Sequence, residues 1–384
     1  MENFFCGIDI SKNSFNVSVI DSSSKVIFNG NFTMNYEGFN SFIDIILEKF
    51  KNCIFAMEST SLYHIPLSSF LLNKSFDIYV INATLVKKFA DFNSLRKTKS
   101  DKLDSKVIAN FLFKNYSSLE YYKINSFNEL SGFSRIREHL VFEISKIKTM
   151  IKQYLYPIFP EADSNFDIFS KTFISVITTY PSAKSISNIN LNDFIFPKKV
   201  RKSTIQSIVH FAKQSVGIEN SAFESFVKNL YEQLFFLEKQ LKEIEYSFIQ
   251  FFKQQNKIDL DILKSVDGIG EVTAASFLAE IQGKHFGSSK KLRAYIGTDP
   301  TIKQSGKMFI KGKISKRGNS HLRRTLWIMT TYVIMWNPTF KAYFKKKRAE
   351  GFSYRKAQMA VLNKLIRLLF TLLEKKTFFD KNFI

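Results

Sequence analysis

The chain has 384 residues, more than one hydrophobic core usually organises, so two or three structural units are expected. Lys and Arg number 56 against 34 Asp and Glu, a formal net charge of +22. This excess favours a nucleic-acid partner through counterion release, although abundant Phe, Lys, Asn and Ile indicate that an AT-rich coding sequence also contributes to it. No uncharged run approaches the roughly 20 residues that cross a bilayer, and the start MENFFCGIDI is unlike a secretion signal. We therefore exclude membrane and secreted proteins and expect a cytoplasmic location.

The cysteines and histidines do not form a metal-binding motif. Cys6 and Cys53 each lie in an apolar run typical of a strand and are expected to be buried. The five histidines are scattered, with no two spaced to meet on one helical turn: His64, His139, His210, His285 and His321. A zinc site is therefore not expected.

The first part of the chain alternates apolar and polar residues as strands do. Three short runs separated by Ser and Asn predict an antiparallel meander: residues 4–10, 15–20 and 26–33. Helical spacing follows over residues 39–50, and two further apolar runs, residues 53–57 and 76–81, flank a second helix. This order is typical of a ribonuclease-H-like α/β domain, which should end near Tyr116 after a helix opened by Asp101.

The remainder of the chain predicts helices. Long amphipathic helices are expected over residues 129–159 and 223–251, the second with the three-four spacing of a coiled-coil seam. Small helices joined by loops are expected over residues 164–217. From residue 260 the pattern predicts helices around a loop-rich segment over residues 283–319. A final pair of helices is expected over residues 322–336 and 354–373. The predicted fold class is therefore α/β followed by a mostly helical part, with domains over residues 1–120, 121–258 and 259–384.

Four carboxylates occupy positions that this strand order would bring together. Asp9 lies near the end of the first predicted strand and Glu58 ends a later strand, whereas Asp101 and Asp104 project from nearly the same face of one helix. Oxygen ligands in such a cluster suit Mg²⁺ or Mn²⁺, which can activate an attacking oxygen and stabilise a leaving one in phosphoryl transfer. Each carboxylate alone has a plainer explanation, since Asp101 could cap its helix and Glu58 could be a solvated strand end.

A glycine turn later in the chain is typical of phosphate binding. The stretch ILKSVDGIGEVTAASFLAEI has a turn containing Gly268 and Gly270 between two short helices, and it resembles the helix-hairpin-helix module. Backbone N–H groups of such a turn can meet a phosphate without a side chain. An ordinary glycine-containing turn between helices is the alternative.

The next stretch surrounds Ser305 with cations. A cationic field would hold a phosphodiester and stabilise the charge that forms on it if the serine attacked, and the flanking glycines allow close approach. The alternative is an ordinary loop serine in a basic phosphate-binding patch. Lys311 is one of these cations, and the candidate nucleic-acid ligands are Lys303, Gln304, Lys307, Lys313, Lys316, Arg317, Arg323 and Arg324, together with Gly268 and Gly270 of the glycine turn.

Together these motifs closely resemble the DEDD transposases of the insertion-sequence-110 family. The resemblance spans nearly the whole chain and rests on GIDISK, AMES, KTKSDKLDS, QSG, ISKRGN and LRRTLW. It implies a RuvC-like domain whose four acidic positions, here Asp9, Glu58, Asp101 and Asp104, bind metal. It also implies that Ser305 attacks a DNA phosphodiester and forms a phosphoserine link. A structured guide RNA that pairs with donor and target DNA, and a homo-oligomer (dimer or tetramer) that often shares its active site between subunits, are further implications.

Two places in the chain depart from the resemblance. Ser105 follows the last carboxylate where Ala is usual, which is a small change on a helix. Thr298 and Asp299 replace a more apolar pair before Pro300. Asp299 adds a negative charge near the segment that presents Ser305.

Three other functions stay open on the sequence. A RuvC-like nuclease or junction resolvase would hydrolyse DNA with metal-activated water and would need no serine. A sugar kinase or actin-like ATPase would share the early Asp and the meander, but it needs a glycine-rich adenosine loop in a duplicated second half, and this chain has 14 glycines and one meander. A non-enzymatic nucleic-acid-binding protein would bind equally well after Asp9→Asn and never cleave.

Overall fold

The computed structural model describes residues 3–59, 62–93, 101–119, 129–189, 202–305 and 308–380. It describes the backbone alone at residues 93, 101–103, 118, 202, 302–305, 308–311 and 313. The chain divides into two compact units, Met1–Asn128 and Glu129–Ile384. The division into three domains stays a prediction.

The first unit is built on a five-stranded sheet. Its strands are β1 (Phe4–Ile10), β2 (Ser14–Ile20), β3 (Val26–Thr33), β4 (Cys53–Glu58) and β5 (Ile78–Ile81). Their order is β3-β2-β1-β4-β5, with β1, β2 and β3 antiparallel and β1, β4 and β5 parallel. The predicted meander is therefore confirmed. β4 and β5 follow helices and run parallel to β1, as crossover connections allow.

Helices cover both faces of this sheet. They are α1 (Tyr36–Lys49), α2 (His64–Asn73), α3 (Ala83–Asn93) and α4 (Asp101–Asn115). One buried core lies under α1 and α2 and includes both cysteines, Cys6 and Cys53, with Phe42. The other lies under α3 and α4 and includes Phe5 and Ile108. Successive residues of each strand thus enter opposite cores, as the two-residue period of a strand requires.

In its described residues, the second unit is built of helices and one strand hairpin. Its helices are α5 (Glu129–Leu155), α6 (Ala162–Asn165), α7 (Lys171–Thr179), α8 (Ala183–Ser187), α9 (Lys202–Lys213), α10 (Ser221–Lys264), α11 (Glu271–Ile281), α12 (Ser289–Ile296), α13 (Ser320–Trp336), α14 (Pro338–Ala349) and α15 (Tyr354–Lys375). The antiparallel hairpin is β6 (Pro300–Ser305) with β7 (Met308–Ile314). Across the described parts of both units, no helix combines the length and apolar character needed to cross a membrane.

The two long helices of the second unit pack against each other and run antiparallel. Their contacts advance in opposite directions along the chain: Phe133 with Phe248, Arg137 with Glu245, and Tyr154 with Phe226. α10 contributes Leu230 and Leu234 to one buried core and Phe248 and Phe252 to another. The helix bends at Asn256, where φ is −155° and ψ is 72°. The coiled-coil geometry of the seam stays a prediction.

Two expectations for the last part of the chain were wrong. Residues 283–319, predicted as loop-rich, contain α12 and the β6–β7 hairpin. The alternation of Lys with Phe, Ile or Gly in Met308–Ile314 is a strand pattern that the density of Lys and Gly obscured. A third helix, α14, lies between the two predicted terminal helices. Asn337 caps it and Pro338 occupies its first turn, both ordinary signals of a helix start.

Candidate functional site

Asp9 and Glu58 lie side by side at the carboxyl ends of two neighbouring parallel strands. Ile8 of β1 pairs with Met57 of β4, and the two acids are the next residues on their strands. Ile8 and Met57 point into the core under α1 and α2. The acids therefore lie on the opposite face, which α3 and α4 cover. Both side chains are half-buried.

Helix α4 touches that face of β1 without an intervening side chain. A Cβ atom on Gly7 would lie 2.2 Å from the carbonyl oxygen of Ser105 and 2.3 Å from the backbone nitrogen of Ala109. Only a glycine hydrogen fits this gap. Because Gly7 and Asp9 share a strand face, the same contact holds α4 beside Asp9.

The direction of α4 brings its acidic first turn to the strand end that carries Asp9. The ring of Phe5, at the start of β1, lies 5.2 Å from that of Phe113, near the end of α4. The helix therefore runs opposite to β1, and its first residues, Asp101 and Asp104, lie toward Asp9. The side chain of Asp104 is half-buried, and that of Asp101 lies outside the described residues.

The chemistry of these donors fits a hard divalent cation. All four are carboxylates, and a cluster of like charges is stabilised when a cation lies between its members. Among the side chains that the structure describes, no three acidic, histidine or cysteine groups form a set that could hold a metal ion. Asp101, the fourth predicted ligand, is not among the side chains so described.

Two asparagines extend the row of Asp9 across the sheet, and the sequence reasoning missed them. Asp9 is opposite Asn16 on β2, and Asn16 is opposite Asn31 on β3. The amide Nδ2 of Asn31 donates to Oδ1 of Asn16 at 2.9 Å. Two polar residues on one face of adjacent strands were visible in the sequence, but their alignment with Asp9 depends on a register that only the structure supplies.

The first departure, Ser105, has a hydrogen-bond partner in this fold. Its hydroxyl is 2.8 Å from that of Ser18 on β2, which in turn donates to Oδ1 of Asn29 at 2.8 Å. Ser105 and Ser18 are both fully buried. The extra oxygen of Ser105 is thus accommodated where an alanine would leave Ser18 with Asn29 alone.

Ser305 is the last residue of β6, opposite Met308 of β7. Gly306 and Lys307 lie outside the described residues, as do the side chains of Lys303, Gln304, Ser305, Lys311 and Lys313. The base of the hairpin is held by backbone hydrogen bonds. The Ser315 nitrogen donates to the Asp299 oxygen at 2.8 Å, and the Lys316 nitrogen donates to the Gly297 oxygen at 3.1 Å.

Two glycines allow the chain to cross itself at this base. Gly297 ends α12 with a φ of +75°, which favours glycine, and a Cβ on it would lie 2.6 Å from the nitrogen of Gly318. A Cβ on Gly318 would lie 2.0 Å from the carbonyl oxygen of Tyr295. The end of α12, which leads into the hairpin, and the segment that leaves the hairpin are therefore in backbone contact.

The second departure, Asp299, is paired with a cation. Its carboxylate is 3.0 Å from the guanidinium of Arg293 on α12, whose side chain is 18% exposed. Thr298 beside it is buried, and its hydroxyl is 3.4 Å from the carbonyl oxygen of Arg293. The negative charge of Asp299 therefore offsets a half-buried arginine at the hairpin base.

A buried carboxylate connects this base to three helices. Glu280 of α11 is 4% exposed and accepts hydrogen bonds from Arg135 at 3.3 Å and from Asn319 Nδ2 at 2.7 Å. Asn319 also donates to the hydroxyl of Tyr295 at 3.2 Å and caps α13 by accepting from the Leu322 nitrogen. The sequence reasoning missed Glu280, although a single acid inside the apolar run SFLAEI was a signal.

The predicted DNA-binding cations around Ser305 differ in exposure and contacts. Lys316 and Arg317 are exposed beside the hairpin base. Arg323 donates to the carbonyl oxygen of Ile296 at 2.9 Å, and Arg324 is 3.2 Å from Glu138. Arg323 and Arg324 thus contact the protein itself, and their role as nucleic-acid ligands stays a prediction.

The glycine turn between α10 and α11 has one packed side and one open side. Gly268 has a φ of +94°, and a Cβ on it would lie 2.6 Å from the carbonyl oxygen of Tyr332. Gly270 is exposed and precedes α11 without a side-chain cap. Gly268 is therefore required by packing, whereas Gly270 leaves the first N–H groups of α11 accessible. The resemblance to a helix-hairpin-helix module stays a prediction.

Two segments of the chain match models of transposase families. Residues 6–160 match the DEDD transposase family of IS110, described as "Transposase", and residues 260–345 match the "Transposase IS116/IS110/IS902 family". The "Mini-circle putative transposase for IS117" of Streptomyces coelicolor is 21% identical over 98% of this chain and 95% of its own length. A pilin gene-inverting protein of Moraxella lacunata is 22% identical over 99% of each chain.

This protein is thus a DNA transposase, with a five-stranded sheet that carries acids at its strand ends and a helical unit that follows it in the chain. The match to the DEDD domain implies a ribonuclease-H-like fold for the sheet unit. The chain belongs to the DEDD transposases of the IS110 family. Membership implies DNA binding and suggests dependence on a divalent metal.

Proposed function

We propose that this transposase cuts and rejoins DNA strands through attack of Ser305 on a phosphodiester. The observation that carries the proposal is the position of Ser305 at the end of β6, in a hairpin whose base is fixed by the contact of Gly297 with Gly318. A nucleophile on a strand with a fixed base can be presented repeatedly in one geometry. Exposed Lys316 and Arg317 beside the base supply cations for the phosphate.

The proposed reaction exchanges one ester bond for another. The Ser305 hydroxyl loses its proton as Oγ bonds to phosphorus, and the bond from phosphorus to a deoxyribose oxygen breaks, with that oxygen taking up a proton. In rejoining, a hydroxyl of the exchanged strand attacks the phosphoserine and restores the serine hydroxyl. The number of phosphoester bonds is conserved, so the reaction needs no external energy source.

We assign Mg²⁺ or Mn²⁺ to Asp9, Glu58, Asp101 and Asp104. The support is the shared sheet face of Asp9 and Glu58, the orientation of α4, and the all-oxygen donor set. Such an ion would stabilise negative charge on phosphodiester oxygens when bound. Asn16 and Asn31, in the row of Asp9, are proposed to hydrogen-bond the sugar-phosphate backbone of the same strand.

A structured guide RNA and a homo-oligomer, dimer or tetramer, complete the proposal. They are supported by the resemblance to the family and by a net charge of +22, which suits a protein that holds more than one nucleic acid. Recombination of the native element's ends with and without its flanking RNA tests this part. Full recombination without RNA would contradict it.

A denaturing gel for a protein–DNA adduct tests the serine mechanism. The wild type is expected to form an adduct that Ser305→Ala and Asp9→Asn both lose. The control Ser320→Ala, which alters an exposed serine at the start of α13, is expected to keep it. Cleavage by Ser305→Ala without any adduct would instead support hydrolysis by a RuvC-like nuclease.

A further inference from the structure

The hairpin of α14 and α15 is a strongly basic helical surface outside the serine segment. Residues 338–367 contain nine Lys and Arg and one acid, Glu350. The match to the second transposase family ends at residue 345, so most of this surface lies beyond the matched segment. The cations are Lys341, Lys345, Lys346, Lys347, Arg348, Arg355, Lys356, Lys364 and Arg367.

Two aromatic rings gather cations from both helices into one cluster. The Lys347 ammonium is 5.5 Å from the ring centroid of Tyr343 and 5.5 Å from that of Phe352. Lys356 lies 4.7 Å from the Phe352 ring, and Lys364 lies 4.8 Å from the Tyr343 ring. The positive charges of α14 and α15 are therefore neighbours in space as well as in sequence.

Carboxylates within the hairpin offset little of this charge. Glu350 is 2.6 Å from Lys347. Burial, and then the charge of Lys346, lower the pKa of Lys364, so like charges on the two helices repel each other. Basic residues at the end of α14 favour its helix dipole, but that does not account for Lys341 near its start or Lys356 in the first turn of α15.

The outer side of α14 presents cations in a row. Lys341, Lys345 and Arg348 follow each other at four and three residues and are all exposed. At 1.5 Å per residue the row spans about 10 Å, close to three base-pair steps of duplex DNA. A row of this length can contact phosphates of one strand.

We propose that the α14–α15 hairpin is a second DNA-binding surface, which holds the phosphate backbone of duplex DNA without reading its sequence. Duplex rather than unpaired nucleic acid is favoured because lysines already occupy the rings of Tyr343 and Phe352, which are therefore poor platforms for stacking bases. DNA rather than RNA is chosen because membership of a transposase family implies DNA binding, whereas the guide RNA is itself a proposal. Lysine contacts to phosphates supply affinity and register but no base discrimination.

Fluorescence anisotropy of the full chain on a labelled DNA duplex of arbitrary sequence, over a range of salt concentrations, tests this surface. The variant changes the three exposed lysines of α14 together: Lys341→Gln, Lys345→Gln and Lys346→Gln. Arg348 is kept because its guanidinium also donates a hydrogen bond to the carbonyl oxygen of Phe352. Three fewer phosphate contacts are expected to reduce the slope of log affinity against log salt by about 3. The control replaces three exposed lysines of α5 and α10, Lys146, Lys228 and Lys242, with Gln and is expected to keep the slope.

Further measurements distinguish a loss of DNA binding from a loss of folding, and DNA from RNA as the ligand. The same three α14 positions changed to Arg retain the charge and are expected to bind as the wild type does. An equal loss in the control triple, an unchanged slope in the α14 triple, or a loss confined to an RNA duplex would each overturn the proposal. Anisotropy reports binding and not strand cleavage, so failure of the serine mechanism would not affect this result.

Discussion

Gly7 of β1 and Ser105 of α4 are in backbone contact, close enough that a Cβ at residue 7 would lie 2.2 Å from the Ser105 carbonyl oxygen. The contact fixes the helix that carries Asp104 against the strand that carries Asp9. The proposed metal ligands of the first unit thus depend on a glycine that has no chemical role of its own.

Gly7→Ala is expected to lower the free energy of unfolding by about 1–3 kcal/mol or more, because α4 must move away from the sheet. Denaturant unfolding followed by circular dichroism measures it. Gly132→Ala is the matched control, since no heavy atom lies within 4 Å of a Cβ there and α5 should gain about 0.5–1 kcal/mol. A neutral Gly7→Ala would show that α4 is not held as described.

Asp299→Ala tests whether the acid near Ser305 stabilises the hairpin base or only repels DNA. Loss of the 3.0 Å pair leaves half-buried Arg293 without its carboxylate, so we expect a stability loss of about 1–2 kcal/mol and less adduct on the denaturing gel. In the Asp299→Ala background, Arg293→Gln should cost little more. Tighter DNA binding with more adduct in Asp299→Ala would contradict this role.

Acid should destabilise the junction of α10 and α11 through Glu271. Hydrogen bonds from Lys253, at 3.0 Å, and from Lys264, at 3.1 Å, lower the pKa of this carboxyl below its ordinary value of 4.5. A lowered pKa contributes stability above 4.5 that is lost as pH falls through the lowered value. From neutral pH to below 4.5, the free energy of unfolding should therefore fall more in the wild type than in Glu271→Gln.

Parallel pH profiles of wild type and Glu271→Gln would contradict that assignment. Replacing Lys253 and Lys264 together with Gln should also remove the difference, because the pKa of Glu271 would return toward its ordinary value.

Removal of divalent metal should stop the reaction while leaving DNA bound. Chelation with EDTA is expected to abolish the adduct, and Mg²⁺ or Mn²⁺ should restore it in the wild type but not in Asp9→Asn. Anisotropy of the DNA complex is expected to change little. Full adduct formation in EDTA would contradict a role for the four carboxylates in holding metal.

The sequence predicted what local patterns determine. β1 to β3 were placed within one residue because strict alternation is broken by Ser and Asn clusters. β6 was missed because most of its residues, PTIKQS, are polar or Pro, and β7 was missed because Lys and Gly interrupt its apolar residues. α14 was missed because the charges of FKKKRA hide its apolar face. The partners of Ser105 and Glu280 could not be predicted, since each joins segments far apart in the chain.

Mapping the DNA adduct to a residue tests the central proposal most directly. The wild type would be trapped on a DNA substrate whose cut strand cannot be rejoined, digested with protease and nuclease, and examined by mass spectrometry. We predict a nucleotide joined through phosphate to the peptide that contains Ser305. Cleaved DNA with free ends and no such peptide, or a phosphate link at another residue, would contradict the account.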